Sequence, residues 1–292
     1  MQPKAATTTP DLPSRPGIGL VLGAGGIRGC SHPGVMAVLT DAGVRFDLVV
    51  GASVGALFGL GLAAGLSPHH IVDVVRRSQP SDIARFYAGR LRAGRSNPIA
   101  RMMLEAGEGK TFADMAVPFA VTATDMHTGQ PVMINTGPVL DAVQASIALP
   151  LIARPVRLGD RYYLDGGLFD TAPVRVARSL GAEKVIAVCL GYNYHAPPFF
   201  KRRPWLRHVL QRAGRQQRLP GPRLHDQIRF ACRMIAASYD PPLPDEGDIT
   251  IWPDLGTLSP NSWVGAQFCL DRGFEAARAI VESGALAALT PR

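Results

Sequence analysis

Cysteine is scarce in this sequence. The 292 residues hold four, Cys30, Cys189, Cys232 and Cys269, far apart and each among apolar neighbours. No C-x-x-C pair occurs, so no metal cluster is visible and no metal is expected. The pattern predicts reduced, mostly buried thiols in a reducing compartment. A secretory leader is also missing. From Met1 to Pro16 the chain is polar and rich in Thr, Pro and Ala, with no apolar core segment. It reads as a flexible tail, and the protein as cytoplasmic. Long hydrophobic spans are lacking too. The stretch from Leu48 to Val72 carries no formal charge, but it holds five glycines and ends in Ser67-Pro68-His69-His70. It reads as a buried helix rather than a membrane span. No internal repeat is evident.

Acids are outnumbered, 23 Asp and Glu against 31 Lys and Arg, for a net charge of +8. The excess is local. From Lys201 to Arg233 there are ten Lys/Arg and one acid, Asp226, a net +9, so the rest of the chain is near neutral. The surrounding segment, from Tyr194 to Pro244, is rich in Pro, Arg and Gln and reads as an insertion. On a helical wheel Trp205, Leu206, Val209, Leu210 and Ala213 gather on one side, and Arg207, Arg212, Arg215 and Arg218 on the other. That is the pattern of an interfacial helix, and it predicts peripheral contact with an anionic membrane through Lys201 to Arg233. An ordinary surface helix has the same pattern. Nucleic acid is disfavoured as a partner, because no nucleic-acid motif accompanies the charge.

What the chain does have is apolar content, 47% of residues, enough for a large α/β core. Strands are predicted at Ile18 to Leu22, Phe46 to Val50, Val117 to Asp125, Pro131 to Asn135, Arg161 to Leu164, Lys184 to Leu190 and Ile249 to Trp252. Helices are predicted at Cys30 to Asp41, Ala56 to Ala64, in pieces from Pro68 to Glu105, and at Asp141 to Ala148, Val174 to Leu180 and Val264 to Glu282. The alternation predicts a three-layer α/β/α domain over residues 17–292, with a mostly parallel central sheet.

Chemistry concentrates at Gly51-Ala52-Ser53-Val54-Gly55. An apolar strand precedes this G-x-S-x-G and a small-residue helix follows, the context of a nucleophile elbow with Ser53 at its apex. A glycine-rich turn with an incidental serine is the plainer alternative. Upstream, Gly23-Ala24-Gly25-Gly26-Ile27-Arg28-Gly29 forms a loop between a strand and a helix. The backbone amides of Gly25, Gly26 and Arg28 suit an oxyanion hole. Dinucleotide binding fits poorly, since Arg28 stands at the third glycine position and no acid ends the second strand. A phosphate loop fits poorly too, since Cys30 stands where lysine belongs.

A serine nucleophile needs a base. His195, His208 and His225 fall in the Pro/Arg-rich segment, a poor place for a rigid base. His69, His70 and His127 read as surface residues, and His32 suits a structural hydrogen bond. That leaves Asp165, which ends a strand before Gly166 and Gly167. An ordinary Asp titrates near pH 3.9 and is a weak base unless burial raises it.

Taken together, the three motifs resemble the patatin-like phospholipase family, whose glycine loop, G-x-S-x-G and D-G-[GA] occur in this order. Ala145-Ser146-Ile147-Ala148-Leu149-Pro150 is similar to the family's A-S-x-A-x-P segment. The resemblance implies a patatin-like fold and a Ser–Asp dyad, with Ser53 as nucleophile and Asp165 as base. It also implies an oxyanion loop at Gly25, Gly26 and Arg28, and motif positions Gly23, Ala24, Gly29, Gly51, Gly55, Gly166 and Gly167. It implies hydrolysis of phospholipid or lysophospholipid esters through an acyl-enzyme, without a cofactor. Thioesterase or general esterase activity on the same site, and a non-catalytic membrane adaptor, are the alternatives. Ala24 departs from the family's first loop glycine. If that position required positive φ, alanine would cost about 1 kcal/mol there.

Overall fold

The computed structural model describes residues 17–87, 96–150, 152–190, 247–259, 262 and 264–289. The 1–16 tail, the 194–244 segment with its basic helix pattern, Cys232, His195, His208 and His225 all lie outside the described residues.

The central strands are β1 (Ile18–Leu22), β2 (Leu48–Ala52), β3 (Phe119–Asp125), β7 (Lys184–Val188) and β8 (Ile249–Ile251). They run parallel in the order β3-β2-β1-β7-β8. Every residue of β2 and β3 is buried, as a parallel sheet covered on both faces requires. Alternate residues feed two cores. Leu20, Leu22, Val49 and Ile186 face one, and Val21, Leu48, Val50 and Val185 face the other.

The first face carries α1 (His32–Asp41), α2 (Val54–Ala63), α3 (Pro68–Arg77), α4 (Pro80–Tyr87) and α5 (Pro98–Gly107). It also carries α6 (Val139–Ser146) and the closing helix α8 (Ala266–Glu282). Among the described residues, α7 (Val174–Ser179) covers the second face. The charge-free stretch becomes β2 and α2, and α2 is buried nearly all round, as a helix with no polar face must be. No described helix is long and apolar enough to cross a membrane. Cys30 and Cys269 are free thiols, and all three described cysteines, Cys30, Cys189 and Cys269, are buried.

Three strands are antiparallel: β4 (Pro131–Ile134), β5 (Val156–Leu158) and β6 (Arg161–Asp165). The short β5 carries no strand signal in the sequence. The glycine loop also differs from expectation, because Gly26–Ser31 forms a 3-10 turn before α1 begins at His32. Pro33 explains the boundary, since a residue without an N–H fits the first turn of an α-helix.

The register positions the site. Thr122 of β3 pairs with Ala52 of β2 and with Met133 of β4, while Ala123 pairs with Val132 of β4 and Asp165 of β6. Since β4 occupies one edge of β3 at both residues, β2 and β6 share the other. They approach along that edge from opposite directions and end nose to nose, β2 before Ser53 and β6 at Asp165.

Candidate active site

Ser53 is the one non-glycine residue with positive φ among the described residues, at φ 54 and ψ −124. The turn that strains it needs glycine on both sides. A Cβ on Gly51 would lie 2.4 Å from the Ala56 Cα, and one on Gly55 would lie 2.0 Å from the Leu22 carbonyl oxygen. The Ser53 carbonyl caps α2 by accepting from the amides of Ala56 and Leu57 at 2.9 and 3.2 Å. Its amide donates to Ser146 Oγ at 2.9 Å.

The Ser53 hydroxyl donates to Asp165 Oδ2 at 2.6 Å. The other oxygen of Asp165 accepts from the Gly167 amide at 2.8 Å, and the Asp165 carbonyl accepts from Thr124 Oγ1 at 2.7 Å. Asp165 is 2% exposed. Burial pushes its pKa up to about 7, against the lowering effect of the Ser53 and Gly167 hydrogen bonds. The two glycines after it let other chains come close. A Cβ on Gly166 would meet the Thr122 carbonyl oxygen at 2.1 Å, and one on Gly167 would meet the Ala24 Cβ at 2.2 Å.

That last contact brings the glycine loop beside Asp165. A Cβ on Gly29 would in turn lie 2.2 Å from Cγ1 of Val54, the residue after Ser53. The loop is held by Gly23 N–H donating to Val188 and Ala24 N–H donating to Thr171, at 3.0 and 2.8 Å. The amides of Gly25 and Gly26 have no hydrogen-bond partner among the described residues. Gly26 needs its glycine, with φ 56, whereas Ala24 does not have positive φ. Alanine there carries no backbone penalty of the kind anticipated for that position.

Arg28 requires a correction. Its amide donates to the Gly25 carbonyl at 3.2 Å and closes the 3-10 turn, so it is not a free oxyanion donor. Its side chain is a clamp instead. Nε, Nη1 and Nη2 donate to the carbonyls of Leu258, Leu190 and Gly256 at 2.7, 2.9 and 3.0 Å. A guanidinium suits this because its donors are fixed in one plane. The clamp ties the glycine loop to the chain leaving β7 and β8.

No described histidine hydrogen-bonds Ser53 or Asp165. His32 is fully buried and its Nε2–H donates to the Gly23 carbonyl at 2.8 Å. Burial lowers its pKa to about 4, against the raising effect of that bond, so it stays neutral and fastens the loop. His69 is exposed and pairs with Asp41 at 2.9 Å. Sequence reasoning missed the roles of Ser146 and Thr124 as partners of Ser53 and Asp165. The Ala145–Pro150 segment gave the one signal for Ser146, and only through the resemblance.

Comparison with known proteins follows the same residues. The family described as patatin-like phospholipase matches residues 20–178. An NTE family protein of Mycobacterium tuberculosis (strain ATCC 25618 / H37Rv) is 31% identical over 192 residues, 63% of this chain and 52% of that protein. Another, from strain CDC 1551 / Oshkosh, is 30% identical over 280 residues, 91% of this chain and 46% of that protein. The lysophospholipase NTE1 of Mycosarcoma maydis is 30% identical over 189 residues, 60% of this chain and 10% of that protein. The chain spans about half the length of the mycobacterial relatives and a tenth of the fungal one. A match that begins inside β1 and ends inside α7 takes in the loop, the elbow and Asp165, and on it the chain belongs to the patatin-like phospholipase family.

Proposed function

We propose that this protein is a serine lipid acyl hydrolase of phospholipase A or lysophospholipase type. The observation that carries the reading is the 2.6 Å hydrogen bond from the Ser53 hydroxyl, on a backbone with positive φ, to a buried carboxylate. Asp165 takes the Ser53 proton as Oγ attacks the ester carbonyl. The Gly25 and Gly26 amides stabilise the oxyanion of the tetrahedral intermediate. Collapse expels the alcohol, which takes the proton from Asp165 and leaves an acyl group on Ser53. Water then gives a proton to Asp165, attacks the acyl carbonyl and releases the fatty acid, and the proton returns to Ser53. A carboxyl group with a pKa of about 7 suits both directions of transfer near neutral pH.

Lipid esters are favoured as substrates by the family and by the lysophospholipase among its relatives. The test is hydrolysis of phospholipid, lysophospholipid, acyl-CoA and short esters by wild type and Ser53→Ala. The reading predicts that phospholipid or lysophospholipid is cleaved fastest and that Ser53→Ala is inactive on all. Preference for acyl-CoA or short esters would instead mark a thioesterase or general esterase. Undiminished activity in Ser53→Ala would remove the dyad.

A further inference from the structure

The segment at the end of α6 is not used by the mechanism, yet it holds both reacting residues. We propose that Ser146 and Ala148 form a positioning bracket that sets the distance between the Ser53 hydroxyl and the Asp165 carboxylate. Ser146 Oγ accepts from the Ser53 amide at 2.9 Å. Two residues on, the Ala148 carbonyl accepts from the Asp165 amide at 3.0 Å. The side chains reach each other across 112 residues of sequence, but their backbones are tied to one short piece of chain. That piece is itself closed, because the Ala148 amide donates to Ala145 at 3.2 Å. Ser146 and Ala148 are buried to 0% and 1% exposure, so water does not compete for either bond.

The elbow creates the need for this bracket. The last ladder pair of β2 is Ala52 with Thr122, so the Ser53 amide lies just past the sheet and has no strand partner. A buried, unpaired N–H is costly, and a backbone in a sparsely populated region persists only where its surroundings over-determine it. A short hydroxyl at a helix end satisfies the amide where no main chain passes. Ser146 is therefore a positioning residue. This inference rests on the reading that Ser53 and Asp165 react together.

The test compares wild type, Ser146→Ala and Ser146→Cys. The readouts are the rate of fluorophosphonate labelling at Ser53, kcat and KM on a soluble ester across pH, and thermal unfolding. Misplacing a reacting group by about 1 Å costs up to about 100-fold, so Ser146→Ala should lose about 10- to 100-fold in labelling rate and kcat at unchanged KM. Its acid limb should move to higher pH, since weakening the Ser53 hydrogen bond removes an interaction that lowers the Asp165 pKa. Ser146→Cys keeps the shape with a larger, weaker acceptor and should fall between. If Ser146→Ala does not fold, Ser146→Cys carries the same criteria.

A folded variant that labels at the wild-type rate overturns the bracket and leaves the Ser53 reading intact. A slowed variant with an unmoved acid limb and a raised KM reduces Ser146 to an ordinary structural residue and also overturns it. A wild type unlabelled at Ser53 overturns the reading and the bracket together.

Discussion

At the scale of single residues, Asp165 couples the site to pH. Burial raises the Asp165 pKa from 3.8 to about 7, so the folded protein keeps a proton that the unfolded chain releases. The stability linked to that proton is complete below about pH 4 and is lost as pH rises through about 7. Near pH 8 the fold therefore carries a buried carboxylate at a cost. Asp165→Asn removes the charge, and it should stabilise the protein at pH 8 by on the order of 1–3 kcal/mol, with roughly a third of that gain at pH 5. Thermal unfolding at the two pH values checks this. On the proposed mechanism the same variant should lose about 10³-fold or more in kcat, because the serine would lose its base. His32 works in the opposite direction. Its depressed pKa contributes stability above about pH 6.5 that is lost as pH falls through about 4. Ser53 and Asp165 were legible in the sequence because each sits in a short motif with its own backbone demands. The role of Ser146 was not, because its partner is a backbone amide 93 residues away, and the Ala145–Pro150 segment marks the residue only through the family resemblance.

At the scale of elements, close approach is what the glycines encode. A Cβ on Gly34 of α1 would lie 2.6 Å from the Leu270 carbonyl, and one on Gly273 of α8 would lie 2.1 Å from the Ser31 carbonyl. These two glycines seat α8 against α1 and the 3-10 turn of the glycine loop. Gly273→Ala gains helix propensity but drives the helix off the turn, and the overpacking should cost about 1–3 kcal/mol. Urea unfolding measures the loss, and a net gain in stability would show that the contact relaxes freely. The parallel strands were legible as continuous apolar runs. The direction of β6 was not. A shared strand-end edge in a parallel sheet correctly anticipates that Ser53 and Asp165 meet, but for a different reason. In the structure β6 is antiparallel and reaches the site from the far end of β3. Strand direction depends on the connection, and a short strand carries no local mark of it. At three residues, β5 is too short for its alternation to register.

At the scale of the whole molecule, the charge stands apart from the fold. The net +9 of residues 201–233 exceeds the +8 of the chain, and the segment lies outside the described residues. We propose that it docks the protein on anionic bilayers. Wild type should pellet with anionic vesicles, less so at high salt. Changing Arg207, Arg212, Arg215 and Arg218 to Gln should abolish this while activity on a soluble ester persists. Equal pelleting of the variant would contradict the docking role. The central claim concerns Ser53 and Asp165, and one measurement tests it most directly. Wild type, Ser53→Ala and Asp165→Asn are treated with a fluorophosphonate, and the adduct is located by peptide mass spectrometry. The account predicts rapid labelling of wild type at Ser53, none in Ser53→Ala, and labelling of folded Asp165→Asn slowed by orders of magnitude. An adduct on another residue, or undiminished labelling of Asp165→Asn at Ser53, would contradict it.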